Sequence, residues 1–181
     1  MKKLITITAF ALVSVCTRAQ VASTASQTTN LHLANAIEIT YSCGSSVGAT
    51  VVMFFNTVND YASGVHTSAQ ELKVQSNKRF GVTVNTNSAS FTYAGSASPK
   101  PVMPVAGVLG LRVTSNATGG NIVSPFSSNG YASLGATPAS LLSNCSNGGD
   151  QNFEVKYEAT PGFSYPAGVY AVDVVFTATQ L

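Results

Sequence analysis

Leu72-Lys73-Val74-Gln75-Ser76-Asn77-Lys78-Arg79-Phe80-Gly81-Val82-Thr83-Val84-Asn85 decides the fold class of this 181-residue chain. Leu72 and Val74 alternate with Lys73 and Gln75, and Phe80, Val82 and Val84 alternate with Gly81, Thr83 and Asn85. That period of two belongs to strands with one buried and one wet face. Residues 76–79 between them are turn chemistry, because short polar side chains bond nearby backbone and tolerate unusual dihedrals. The same alternation recurs in both directions. Ile37, Ile39 and Tyr41 alternate with Glu38, Thr40 and Ser42, and Leu109, Leu111 and Val113 form a further run. Phe153, Val155 and Tyr157 alternate with Glu154, Lys156 and Glu158, and Tyr170, Val172, Val174 and Phe176 alternate with Ala171, Asp173, Val175 and Thr177.

Other stretches carry weaker signals. Residues 51–55 are a continuous apolar run, which predicts a strand covered on both faces. Residues 161–168 hold two Pro and two Gly, predicting a long loop that joins the last two strands as an antiparallel hairpin. Residues 122–140 have no period, and residues 138–142 predict one helical turn. Seven or eight alternating runs with no 3.6-residue period give an all-β expectation: an antiparallel β-sandwich, one domain over residues 37–181. A closed barrel is the runner-up. An outer-membrane barrel needs strands of about ten residues and aromatic girdles; here Trp is absent and only residues 169–179 reach that length.

Composition narrows the function classes. Only 9% of residues are charged and 45% are hydrophobic, the opposite of the low-hydrophobicity, high-charge signature of disorder. Met1-Lys2-Lys3, the apolar residues 4–15 and Thr17-Arg18-Ala19 have the n-region, h-region and cleavage site of a signal peptide over residues 1–19. Without Lys2, Lys3 and Arg18 the mature chain has six basic and seven acidic side chains, a formal net charge of −1. It offers no basic stripe for a phosphate backbone, so nucleic acid is discounted as a partner. The apolar run is too short to span a membrane, leaving no transmembrane segment in the mature chain. Residues 20–36 are Ser/Thr/Gln/Ala-rich and read as an extended arm.

With Cys16 in the signal, Cys43 and Cys145 are the two remaining cysteines, and an exported chain has one intramolecular pairing to make. Closing a loop of ~100 residues is worth at most about 4.7 kcal/mol in the chain-entropy model. Two buried free thiols are the alternative reading, and a metal site from two cysteines without neighbouring His is disfavoured.

Catalytic and ligand chemistry is sparse. Asp60, Ser63 and His66 supply the residue types of a catalytic triad within one short segment, but without a nucleophile elbow they read as a solvated loop. Glu38, Glu154 and Glu158 sit at polar strand positions rather than as an acid/base pair. Residues 144–152 concentrate oxygen donors around Gly148 and Gly149, yet Asp150 is their one carboxylate, too few for calcium. No cofactor, metal or enzymatic activity is expected. A sugar site is the strongest ligand reading: Phe126, Ser128, Asn129 and Tyr131 bring aromatic, amide and hydroxyl groups together in the irregular segment, against the preferred structural reading that Phe126 and Tyr131 fold back onto the core and cover a sheet edge.

The Lys-Lys signal, Ser/Thr arm, low charge, absence of Trp, candidate disulfide and terminal run from Tyr165 to Thr179 together resemble secreted bacterial β-sandwich proteins of the fimbrial-subunit type. The run contains Gly168, Tyr170, Val174 and Thr177 in a G-x-Y-x-x-x-V-x-x-T strand. The resemblance implies an Ig-like or pilin-like sandwich. It also implies a secreted, periplasmic or cell-surface location and a non-enzymatic structural role by self-association or contact with other surface proteins. A glycan-binding, adhesin-like module is the alternative, and a hydrolase around Asp60 and His66 the last. The chain departs from chaperone–usher pilins in its widely spaced cysteines and in ending Gln180-Leu181. Its arm also alternates poorly, with Val21, Leu31 and Leu33 as its apolar anchors.

Overall fold

The structure is a computed structural model that describes residues 23–42, 50–127 and 130–181. Residues 23–33 carry no regular secondary structure and are exposed throughout, with Leu31 and Leu33 81% and 90% accessible. From Ala34 onward the chain forms a separate compact unit.

That unit is an all-β sandwich of antiparallel sheets. Its strands are β1 (Ile37–Tyr41), β2 (Val65–His66), β3 (Gln70–Ser76), β4 (Phe80–Thr86), β5 (Thr92–Ala94) and β6 (Leu109–Asn116). They continue as β7 (Asn121–Ile122), β8 (Ala132–Ser133), β9 (Ala139–Cys145), β10 (Gly148–Ala159), β11 (Val169–Ala171) and β12 (Val174–Gln180). One sheet runs β1-β3-β10-β6-β8, with β2 also on β10; the second runs β12-β4-β9-β7; β5 and β11 form a small ribbon. Leu72 and Val74 of β3, Leu111 of β6 and Phe153 and Val155 of β10 join Phe80, Val82 and Val84 of β4 and Leu141 and Leu142 of β9 in one buried cluster. The alternation quoted at the outset is therefore the pleat of two strands in different sheets. The polar link between them is an arch, in which the Ser76 hydroxyl donates to Lys78 O (2.7 Å).

Three local expectations are corrected. Residues 51–55 are not a named strand: Val51, Met53 and Phe55 are half-buried, while Val52 and Phe54 point outward at 60% and 68% exposure. Residues 138–142 are not helical, since β9 begins at Ala139; register shifts against β4 place Leu141 and Leu142 side by side in the core, so the period of two is broken. The last long runs do not form a hairpin, because β10 lies in the first sheet and β12 in the second. The run from Val169 is itself divided. Asn87 grips Asp173 through three hydrogen bonds, Asn87 N–H to Asp173 O (3.0 Å), Asn87 Nδ2 to Oδ2 (2.6 Å) and Asp173 N–H to Asn87 Oδ1 (3.2 Å). There the chain leaves β5 and joins β4.

One short helix, α1 (Val58–Ser63), lies where a solvated loop was expected. The Thr57 hydroxyl accepts from the Asp60 N–H (3.2 Å) and the Asp60 carboxylate accepts from the Thr57 N–H (2.8 Å), a reciprocal capping box. Gly64 ends it at φ +80°, donating its N–H to Asp60 O (2.9 Å); a Cβ there would meet Ala159 O at 2.9 Å.

Candidate functional site

The sandwich is unevenly closed. β1 ends the first sheet and β12 ends the second, and each pairs with a single strand among the described residues. Between them runs a cleft of about 260 Å³, lined by Ile39, Thr40, Tyr41, Leu72, Val174, Val175 and Phe176. Leu72 at its floor is buried, whereas Ile39, Val174 and Phe176 are half-buried, so the apolar interior reaches the surface here. One end of the cleft is latched. Gln180 Nε2 lies 2.8 Å from Ala36 O, 3.0 Å from Asn77 Oδ1 and 3.1 Å from Ser76 Oγ, tying the end of β12 to the start of β1. Near the other end the Tyr41 and Tyr157 hydroxyls are neighbours; burial, then the Tyr41 neighbour, pushes the Tyr157 hydroxyl far up, and burial raises that of Tyr41.

The composition of these edges matters. Natural sheets blunt edge strands with Lys, Pro, inward charges or bulges, because unpaired N–H and C=O groups recruit further strands. β12 reads Val-Val-Phe-Thr-Ala-Thr-Gln with no charge, and β1 carries only Glu38.

The residues expected from sequence are dispersed. Phe126 is 1% exposed and belongs to the core, so it offers no face to a ligand, while Ser128 and Asn129 lie outside the described residues. The Tyr131 ring is half-buried and engaged within the fold, with the His66 ring stacked at 5.1 Å and the Arg112 guanidinium 4.9 Å from its centroid. Asp60, Ser63 and His66 take separate partners. The Asp60 carboxylate accepts from Asn56 and Thr57 N–H, both at 2.8 Å, and these backbone bonds hold its carboxyl below the ordinary range. The Ser63 hydroxyl reaches Asn59 Oδ1 at 3.5 Å, and His66 Nδ1 lies 3.6 Å from Glu158 Oε1. Asp150 lies 2.9 Å from Lys73 Nζ, whose hydrogen bond and charge lower its carboxyl. No group of three or more His, Cys, Asp or Glu able to hold a metal ion occurs among the described residues.

Cys43 lies outside the described residues, and its pairing with Cys145 lies there too. Cys145 is fully buried, with Thr118 Oγ1 3.1 Å from its sulfur, and burial raises the pKa of its thiol form. The signal peptide over residues 1–19 is likewise outside the described residues, and no helix among them is long and apolar enough to cross a membrane.

A second surface was not read from sequence. Phe55 packs against Tyr61 (5.3 Å), Tyr61 stacks on Phe163 (5.7 Å, 24° between planes), and Tyr170 contacts both Tyr93 (4.9 Å) and Tyr165 (6.4 Å). Burial raises the Tyr170 hydroxyl, and the nearby Tyr93, Tyr165 and Tyr61 raise it further. The aromatics come from the run before α1, from α1, from β5, from the loop before β11 and from β11 itself. The available signal was the pair Phe163 and Tyr165 in a Pro/Gly-rich link that could not be a strand interior.

No protein-family model matches this chain, and no curated protein matches it.

Proposed function

We propose that the protein is an exported, non-enzymatic structural component of a bacterial cell surface, resembling a fimbrial subunit, that assembles with copies of itself or with other surface proteins through the β1–β12 edge. The carrying observation is that edge: β12, without a charge, and β1, with Glu38 alone, flank an apolar cleft whose inward side chains remain half-exposed. An extended segment laid there gains backbone hydrogen bonds from either strand and buries Ile39, Val174 and Phe176. Leu31 and Leu33, spaced by two and almost fully exposed, give the arm of a second copy a matching apolar face. Export is supported by the n-region, h-region and small-residue pattern of residues 1–19.

The test is the assembly state of the mature chain, by light scattering across concentration and by unboiled denaturing gels. Heat-labile multiples of one subunit are expected. Val175→Lys, which places a charge on the outward face of β12, should leave a folded monomer. A wild-type protein that stays monomeric at every concentration, alone and with its native surface fraction, would overturn the proposal. A chain beginning at Ala34 separates the arm from direct edge pairing, since loss of assembly assigns the contact to the arm. The Cys43–Cys145 pairing belongs to the same reading. Alkylation of the unreduced, denatured protein modifies neither cysteine if they are bonded and both if they are thiols.

A further inference from the structure

The aromatic surface away from the β1–β12 cleft is built to be held still. The Tyr93 hydroxyl donates to Ala167 O (3.0 Å) and accepts from the Ala97 N–H (3.2 Å), and the Tyr170 hydroxyl donates to Pro166 O (2.9 Å). Two tyrosines therefore fix the loop before β11 at Pro166 and Ala167, and that loop displays Phe163, 67% exposed, stacked on Tyr61 with 24° between planes. A large apolar ring kept in water by a braced loop is not explained by packing of the sandwich. Phe54, 68% exposed, and Val58, 76% exposed, lie in the same segment as Tyr61.

The charge around these rings selects a class of ligand. Residues 50–66, 89–97 and 161–171 contain no Lys or Arg, and Asp60 is their sole carboxylate. That carboxylate is committed to the backbone of Asn56 and Thr57. These segments themselves thus offer no free charged side chain to an anion or a cation. These segments also expose amides and hydroxyls, at Asn56, Asn59, Ser63 and Ser164. Flat aromatic rings with an uncharged hydrogen-bonding rim match a sugar ring, whose C–H face is apolar and whose edge carries hydroxyls.

We propose that Phe163 and Tyr61, on the braced loop before β11 and on α1, form a binding platform for an uncharged polysaccharide, distinct from the Phe126–Tyr131 segment and independent of assembly through β12. Phe163 supplies the stacking face, and the exposed amides and hydroxyls engage the sugar's own. Binding is shallow and suits a repeated, multivalent surface protein, in which weak contacts at each copy add.

The experiment is native affinity electrophoresis of the mature protein through gels containing soluble neutral polysaccharides of different linkage (a β-1,3-glucan, a xyloglucan, a mannan, a dextran) and an anionic one, hyaluronan. At least one neutral polymer is expected to retard the wild-type chain. Phe163→Ala, at an exposed position that leaves the core intact, should weaken that retardation about tenfold or more, with an unchanged thermal midpoint. Tyr131→Ala should leave it unaltered. The proposal is overturned if no neutral polymer retards the protein, if only hyaluronan does, or if Phe163→Ala binds as well as wild type. It is also overturned if Phe163→Ala instead abolishes a concentration-dependent dimer, which would make the face a protein contact.

Discussion

β4 and β12 are neighbours in one sheet, paired from Phe80↔Gln180 to Thr86↔Val174, and their sequences alternate in the same way. Yet Val82 and Val84 of β4 are fully buried, whereas Val174, Phe176 and Ala178 of β12 are only half-buried. The difference is not in the residues. β4 has β9 on its other side; β12 has the cleft. Period-two alternation tells which face of a strand turns inward, but not whether anything stands beside it. In this protein the missing neighbour is where the functional reading begins.

The sharpest test compares two phenylalanines that touch each other, Phe153 of β10 and Phe176 of β12, with ring centroids 6.3 Å apart. Phe153 is 1% exposed. Phe153→Ala should cost about 3–5 kcal/mol by urea unfolding, through lost burial and a residual cavity. Phe176→Ala removes a ring that already meets water, so its loss in the monomer should be roughly 1–2 kcal/mol, while its effect on assembly should be large. Equal losses at the two sites would mean that the edge is as closed as the core, and the comparison would fail.

The longer strands β1, β3, β4, β6, β10 and β12 are legible in sequence because each turns one row of apolar side chains toward the core. What was illegible has specific causes. The Leu141-Leu142 pair follows register shifts that no local rule anticipates. α1 is shorter than two turns, so no apolar stripe announces it; Thr57 and Asp60, three residues apart as in a capping box, were its one local sign. The division of the last run into β11 and β12 falls at the contact of Asn87 with Asp173, 86 residues apart in the chain. The candidate sites divide similarly. Phe126 was placed with Tyr131 because they are close in sequence, but burial separates them, whereas Tyr61 and Phe163 meet only through the fold.

Gln180 offers a smaller way to probe the edge. Its amide closes one end of the cleft against Ala36, Ser76 and Asn77. Gln180→Ala should cost about 1 kcal/mol, the usual net worth of a hydrogen bond. Amide exchange should accelerate in β1 while β4 stays protected. Protection unchanged at Ile37 and Ile39 would show that β1 is held by β3 alone.

The smallest expected effect concerns α1, which carries Tyr61 of the aromatic surface. Backbone donors at Thr57 and Asn56 keep the Asp60 carboxyl below its ordinary pKa. A carboxylate lowered by folding stabilises the native state above its unfolded pKa, and that contribution is lost as pH falls through the folded value. Acidification through and below the ordinary carboxylate range should therefore release the Asn56 and Thr57 amides and fray α1 before the sandwich opens. The readout is the proton chemical shifts of those two amides against pH, with Asp60→Asn as the comparison. The variant keeps a side-chain acceptor but has no charge to lose, so its amide shifts should be flat over that range. If wild type and variant titrate alike, the helix is held from elsewhere, and the stacking of Tyr61 on Phe163 would be the contact to remove next.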